Sequence, residues 1–252
     1  MDKLIVEIDG TIDFLNPEVV KTIQSDIKAG KLVILRGAVD AQWCKKVVNY
    51  LSVVGSSSLP NYSSIVPGAA NFHRINDSDQ RSFVKGCFHQ FVFYPWNQDF
   101  LNFFDRLKKF YELKNLVSNI SAGKFLLDSD MNYTARIAAQ FYPSSKGYLN
   151  LHRDPVFEHQ LCVPTVTLSK KGTDYQKGGA VFITNKGKKI NIDDISEVGD
   201  VTLFDASLVH GVDAIDPDLD VDWLNFKGRW MLLLAVNKFE HTDAPDSLEE
   251  SS

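Results

Sequence analysis

Two imidazoles and a carboxylate, His152, Asp154 and His210, followed by Arg229, are the residues whose types and order could do chemistry. Side chains two apart on a β-strand share a face, so His152 and Asp154 can reach one ion from a single strand while Arg153 points away. The run 148–152 has strand character, and a second β-like run, 201–204, leads through a short connection to His210. Two neutral nitrogens and one oxygen leave positions open on an octahedral ion. That donor set belongs to non-haem Fe(II) oxygenases rather than to closed structural zinc sites.

His-x-Asp arises by chance, and a histidine taken alone is more often packed or at the surface than a ligand. The combination carries the metal reading: a distant His210 in a strand-rich stretch, then Arg229 opening the apolar run 228–236. A guanidinium at the mouth of an apolar strand is costly to bury unless it grips an anion. A planar carboxylate is its natural bidentate partner. The anion can belong to a bound molecule, or Arg229 can form a structural ion pair with an acidic residue of the chain.

These residues, over about 130–240, resemble the Fe(II)- and 2-oxoglutarate-dependent dioxygenases, in particular the branch similar to phytanoyl-CoA hydroxylase. The resemblance implies that His152, Asp154 and His210 are the metal ligands and that Arg229 binds the distal carboxylate of 2-oxoglutarate. It further implies Fe(II), with 2-oxoglutarate as co-substrate and O2, and release of succinate and CO2. Halogenating members lack a carboxylate at the position of Asp154, so its presence points to hydroxylation, with desaturation or ring formation using the same ligands. The interval from His210 to Arg229 is long for the family and contains an acidic insert, 213–222. Arg136 is the other candidate for a carboxylate of 2-oxoglutarate, or for the substrate. It shares a strand face with Gln140 and Tyr142, both candidates for cofactor contact. Thr165 and Thr167 could hydrogen-bond the carboxylate held by Arg229. His89 and His159 are possible substrate contacts, though a lone histidine is more often structural.

Around these residues, the 252-residue chain is 44% hydrophobic, enough for a sizeable core, and a single domain is the natural expectation. We expect residues 1–240 to form it: helical support and substrate-covering loops over 1–130, a core over 131–240, and a disordered tail over 241–252. A net charge of −5 and a pI near 5.7, with no basic stripe, argue against nucleic acid or an anionic membrane as partner. No signal peptide or spanning segment is apparent, and Cys44, Cys87 and Cys162 lack a Cys-x-x-Cys pair. A cytoplasmic setting with reduced thiols follows. Walker and Gly-x-Gly-x-x-Gly loops and a Gly-x-Ser-x-Gly elbow are missing, which removes nucleotide-binding and serine-hydrolase readings.

Asn16-Pro17 opens an amphipathic helix running to about Lys28, ended by Ala29-Gly30. Residues 31–37 read as a buried strand. Asp40 caps a second helix through about Val54, and 97–120 reads as a third. The aromatic-rich stretch 55–95 is expected to be an irregular layer covering the mouth of the site, or else a peripheral packing cluster. Strands follow at 133–142, 148–153, 160–168, 179–184, 189–192, 200–205, 209–214 and 228–239. Helices first and then about eight short strands is the layout of a mainly β fold with supporting helices, a double-stranded β-helix of jelly-roll or cupin type. The expected substrate is a small molecule, a metabolite or natural-product intermediate. A protein side chain, or a non-catalytic sensing module that kept the metal site, are the other readings, and the oligomeric state is not legible.

Overall fold

Alternation along each strand in the second half of the chain decides the architecture. The computed structural model describes residues 4–124, 132–157 and 161–240, so His159 and the tail 241–252 lie outside the described residues. In chain order the elements are β1 (Ile5–Asp9), α1 (Pro17–Lys28), β2 (Leu32–Arg36), α2 (Ala41–Ser57), β3 (Phe72–Asp77), β4 (Gly86–Phe93) and α3 (Phe103–Val117). They continue with β5 (Tyr133–Pro143), β6 (Tyr148–His152), β7 (Cys162–Thr167), β8 (Gly179–Ile183), β9 (Lys189–Asn191), β10 (Val201–Asp205), β11 (Val209–Asp213) and β12 (Gly228–Lys238).

Strands β10-β7-β12-β5 form one antiparallel half of the core and β6-β11-β8-β9 the other. This is a double-stranded β-helix. Strand β4 joins the halves, pairing with β5 (His89↔Phe141) and with β6 (Gly86↔Leu149), so the sheet curls into a half-barrel. Outside this core β2 adds to β10, β1 runs parallel on β2, and β3 pairs with β4.

Strand β12 shows how the sequence sorts its two faces. Trp230, Leu232, Leu234 and Val236 join the core beneath the helices, whereas Arg229, Met231 and Leu233 face the interior of the half-barrel. Strand β5 repeats the rule: Ala135, Ile137, Ala139 and Phe141 pack towards the helices, while Arg136, Gln140 and Tyr142 face inwards. The helix-side cluster includes Ile23 and Ile27 of α1, Trp43, Val47 and Leu51 of α2, and Phe104, Leu107 and Tyr111 of α3. Burying each such side chain contributes about 1.5–3 kcal/mol, which fixes the wall against which the inner face is built.

The helix ends follow local chemistry. Asn16 Oδ1 accepts from the Glu18 amide at 3.0 Å with Pro17 in the first turn, and Gly30 takes φ 73° just past the end of α1. Asp40 Oδ1 caps α2 through the Trp43 amide at 2.8 Å. Helix α3 begins at Phe103 rather than at 97, because Asp99 diverts the preceding turn and its Oδ2 accepts from the Phe104 amide at 2.9 Å.

The stretch 55–95 departs from expectation. It is only partly an irregular covering layer: α2 runs on to Ser57, and β3 and β4 form an antiparallel hairpin integrated in the sheet, while 58–71 and 78–85 are irregular and Ser82, Phe83 and Val84 line the inner cavity. Strand β4 is buried on both faces, so it lacks the polar alternation by which a strand is recognised. The three cysteines are buried and unpaired. Among the described residues no helix is long and apolar enough to cross a membrane.

Candidate metal centre

His152 closes β6 and His210 sits on β11, and the two are direct partners across the antiparallel pair. Their rings approach with centroids 4.3 Å apart. Gly211 permits the close approach, since a Cβ there would lie 2.7 Å from the Leu149 carbonyl oxygen. Asp154 stands just beyond the end of β6 rather than on it, held by its amide donating to the Ala206 carbonyl at 3.0 Å. Arg153 points away as expected and donates to the Ser207 carbonyl, tying this segment to the turn before β11.

Each histidine is oriented by its own backbone. Nδ1 of His152 meets the Asn150 carbonyl at 2.9 Å, and Nδ1 of His210 meets the Leu208 carbonyl at 2.9 Å. A carbonyl only accepts, so each Nδ1 carries the proton and each Nε2 presents a lone pair. Those nitrogens lie 3.6 Å (His152) and 3.7 Å (His210) from the Asp154 carboxylate, and the three ligand atoms gather within 4.8 Å. Burial, together with the adjacent His152, holds the His210 imidazole below its ordinary pKa and so keeps it neutral. Phe204 and Phe182 flank the ring at 4.8 and 5.9 Å and fix its plane. Two neutral nitrogens and a carboxylate, preoriented and facing a cavity, fit a divalent ion that keeps open positions.

The cavity measures about 240 Å³ and is lined by nine of the eleven residues singled out in the sequence: His152, Asp154, His210, Arg229, Arg136, Gln140, Tyr142, Thr165 and Thr167. A larger hollow of about 680 Å³, between Lys45, Tyr175 and Phe226, contains none of the triad and lies apart from the chemistry. A second chamber of about 600 Å³ shares Phe83, Arg136, Asp154, Val163 and Leu233 with the metal cavity.

Arg229 has found an anion within the chain. Its Nε and Nη2 donate to the two oxygens of Asp193, at 2.6 and 3.2 Å, on the single 3₁₀ turn Ile192–Asp194. Asp193 also accepts from the Tyr175 hydroxyl at 2.6 Å and the Ala180 amide at 2.8 Å. Burial alone would raise the Asp193 pKa, but the charge and bonds of Arg229 outweigh it and hold the carboxyl below its usual value. This is the structural ion pair left open in the sequence. The guanidinium is not saturated by it, because Nη1 is buried and has no partner among the described residues. Tyr142 donates to Gln140 Oε1 at 2.6 Å and places its ring 5.6 Å below the guanidinium.

Three participants escaped the sequence reading. Asp193 carries no motif. Arg74 and Gln90, from the β3–β4 hairpin, line the cavity; a strand reading of 72–77 would have placed Arg74 and Asn76 on one face. Conversely, His89 does not line the cavity. It is packed among Phe141, Trp223 and Phe226, with Nδ1 at 3.0 Å from His73 Nε2. Burial pushes both imidazoles down to about 4, so both are neutral.

A double-stranded β-helix with a His-x-Asp…His triad lining its inner cavity is the class that fold and site define. Among solved structures, the chain is similar to a full-length Neurospora crassa protein in complex with α-ketoglutarate and thymine, with TM-score 0.59 and 14% identity over 93% of this chain and 85% of that one. It is also similar to a Pseudomonas putida prolyl-4-hydroxylase, with TM-score 0.52 and 11% identity over 88% and 99%. The epimerase SnoN in complex with Fe3+, α-ketoglutarate and nogalamycin RO gives TM-score 0.51 and 10% identity over 94% and 93%. These likenesses establish a shared fold. No family's sequence model matches the chain, and no curated protein matches it.

Proposed function

We propose that this protein is an Fe(II)- and 2-oxoglutarate-dependent oxygenase that hydroxylates an unactivated C–H bond of a small molecule. The observation that carries the reading is the convergence of two Nε2 lone pairs and one carboxylate on a cavity that also holds an arginine with a free, buried Nη1. The Neurospora protein and SnoN, which share the fold, are described in complex with α-ketoglutarate, which supports the same co-substrate here.

In this reading His152, Asp154 and His210 would hold Fe(II). With 2-oxoglutarate and O2 as co-substrates, that site would supply the oxidising power for hydroxylation of a C–H bond, with succinate and CO2 as co-products. Everything else falls to the chain. Arg229, held in place by Asp193, offers Nη1 to the distal carboxylate, and the Thr165 and Thr167 hydroxyls lie on the same cavity wall to share it. Gln140 and Tyr142, bonded to each other on the neighbouring strand β5, flank Arg229 from the side away from β7. Phe88, Val163, Phe204 and Leu233 exclude water around the reacting carbon. The small cavity favours a small-molecule substrate over a polypeptide.

Purified protein supplied with Fe(II) under air should convert 2-oxoglutarate to succinate, slowly without substrate. His210→Ala should abolish the conversion and lower metal affinity. Wild-type protein that binds neither Fe(II) nor 2-oxoglutarate refutes the reading, and binding of both without succinate under any substrate screen leaves a sensing module instead.

A further inference from the structure

Two arginines at the metal cavity have no anion of their own among the described residues. Arg74 on β3 and Arg136 on β5 both line it, and in each the Nε is buried without a hydrogen-bond partner. Burial lowers the pKa of both guanidinium groups. The ionisable groups acting on Arg136 are Tyr94, Tyr111 and Arg74, with no carboxylate among them. Arg74 senses Asp79, but that carboxylate is already engaged by Arg81 through Nε at 3.0 Å and Nη2 at 2.7 Å. Two like charges therefore share a desolvated wall with no carboxylate bonded to either, Arg74 having only the Tyr62 ring at 5.8 Å, an arrangement that is costly unless an anion completes it.

The neighbouring side chains are equally unsatisfied. Asn76 Nδ2 and the Tyr94 hydroxyl are buried with no partner, and so is Gln90 Oε1. Gln90 is the register partner of Arg74 on one side and of Gln140 on the other, which puts this group on the same inner surface as the metal cavity. Donors predominate: two guanidinium groups, an amide and a hydroxyl, against one amide oxygen. Arg229 behaves differently, since Asp193 already occupies two of its nitrogens. It also stands at the far end of the β5–β12 pair, opposite Tyr142, whereas Arg136 lies opposite Ala235. A co-substrate chelated at the triad and held at Arg229 leaves Arg74 and Arg136 to another molecule. Arg136 further borders the second chamber, which shares Asp154 with the metal cavity.

We propose that the substrate carries an anionic group, a carboxylate or a phosphate, and that Arg74 and Arg136 grip it while the carbon to be oxidised faces the triad. The proposal rests on the oxygenase reading above and specifies its substrate class. It makes the β3–β4 hairpin the specificity element of the site.

The test uses full-length protein, without oxygen, carrying Fe(II) and saturating 2-oxoglutarate, whose chelation is followed first by its charge-transfer absorbance. Calorimetric titrations then use a panel of aliphatic and aromatic carboxylates, the matching primary amides, the matching alkyl phosphates, and inorganic phosphate. Carboxylates binding more tightly than their amides assign a carboxylate substrate; phosphates alone binding assigns a phosphate ester. Arg74→Gln and Arg136→Gln should each weaken the anion by about 10- to 100-fold, while 2-oxoglutarate affinity changes by less than about threefold. Arg74→Lys and Arg136→Lys, which keep the charge, should retain more affinity than glutamine and carry the test if the glutamine variants fail to fold. Equal binding of acids and amides, no binding of any anion, or loss of 2-oxoglutarate chelation in the Arg136 variants overturns the proposal. Absence of chelation in wild type refutes the oxygenase reading instead, and the anion titrations then stand on their own.

Discussion

Asp193→Ala is the perturbation that most directly tests how the cavity floor is built. The substitution removes the acceptor of two Arg229 nitrogens, of the Tyr175 hydroxyl and of the Ala180 amide. Arg229 is only 6% exposed, so its charge cannot turn to water. Breaking a buried pair by deleting one partner costs about 3–5 kcal/mol, which for a chain of this size lowers Tm by roughly 6–20 °C. Urea unfolding followed by tryptophan fluorescence measures it, and a cycle with Arg229→Met separates the pair from the packing. The double variant should recover a substantial part of the loss, because the penalty lies in leaving one charge alone. The pH dependence has a definite sign. Asp193 is held below its ordinary pKa in the fold, so its contribution is fully present above the unfolded value of about 3.9 and is lost as pH falls through the lower folded value. The gap between wild type and Asp193→Ala should be constant from about pH 5 to 8 and should close below about pH 4. A cost under about 1 kcal/mol, or a double variant as unstable as the sum of the singles, refutes the reasoning.

Lys114 is buried in α3, and burial pushes its ammonium down to about 8. A lysine whose folded pKa is depressed destabilises the fold below that value. Lys114→Met should therefore raise stability at pH 7 by a few kcal/mol, since each tenfold weakening of proton binding corresponds to about 1.4 kcal/mol. The advantage should fade between about pH 8 and 10.4, as chemical denaturation at several pH values will show. Leu234→Ala, in the fully buried helix-side core, should cost about 2–5 kcal/mol in urea while leaving Fe(II) affinity near wild type. Asp40→Ala removes the α2 cap and should cost about 0.5–2 kcal/mol in the same assay.

The second half of the chain was legible because its signals are local. Turns such as Asn185-Lys186-Gly187 separate short β-rich runs, and the eight strands lie within about two residues of where those signals put them. His152, Asp154 and His210 were legible because the spacing of two and one distant histidine define a donor set without knowledge of the rest. Arg229 was half legible: its need for an anion follows from burial, but the identity of that anion follows from the β8–β9 hairpin and its 3₁₀ turn carrying Asp193 beneath it. The β3–β4 hairpin was illegible for a different reason. A strand covered on both faces shows no alternation, so Gly86–Phe93 reads as an aromatic run and conceals the partners of Arg74.

Strand β12 joins two tasks in one register: its even-numbered residues hold the helices and its odd-numbered residues face the chemistry. A single inserted or deleted residue near Gly228 would exchange the two sets, setting Trp230 into the cavity and Arg229 against the helices. Single substitutions on either face leave the other in place, so the pocket residues of the strand can be changed one at a time provided its length is kept. An added residue leaves that parity intact in the exposed, acidic stretch 217–222 just upstream, where it would alter a loop, beyond the buried and hydrogen-bonded Asp216.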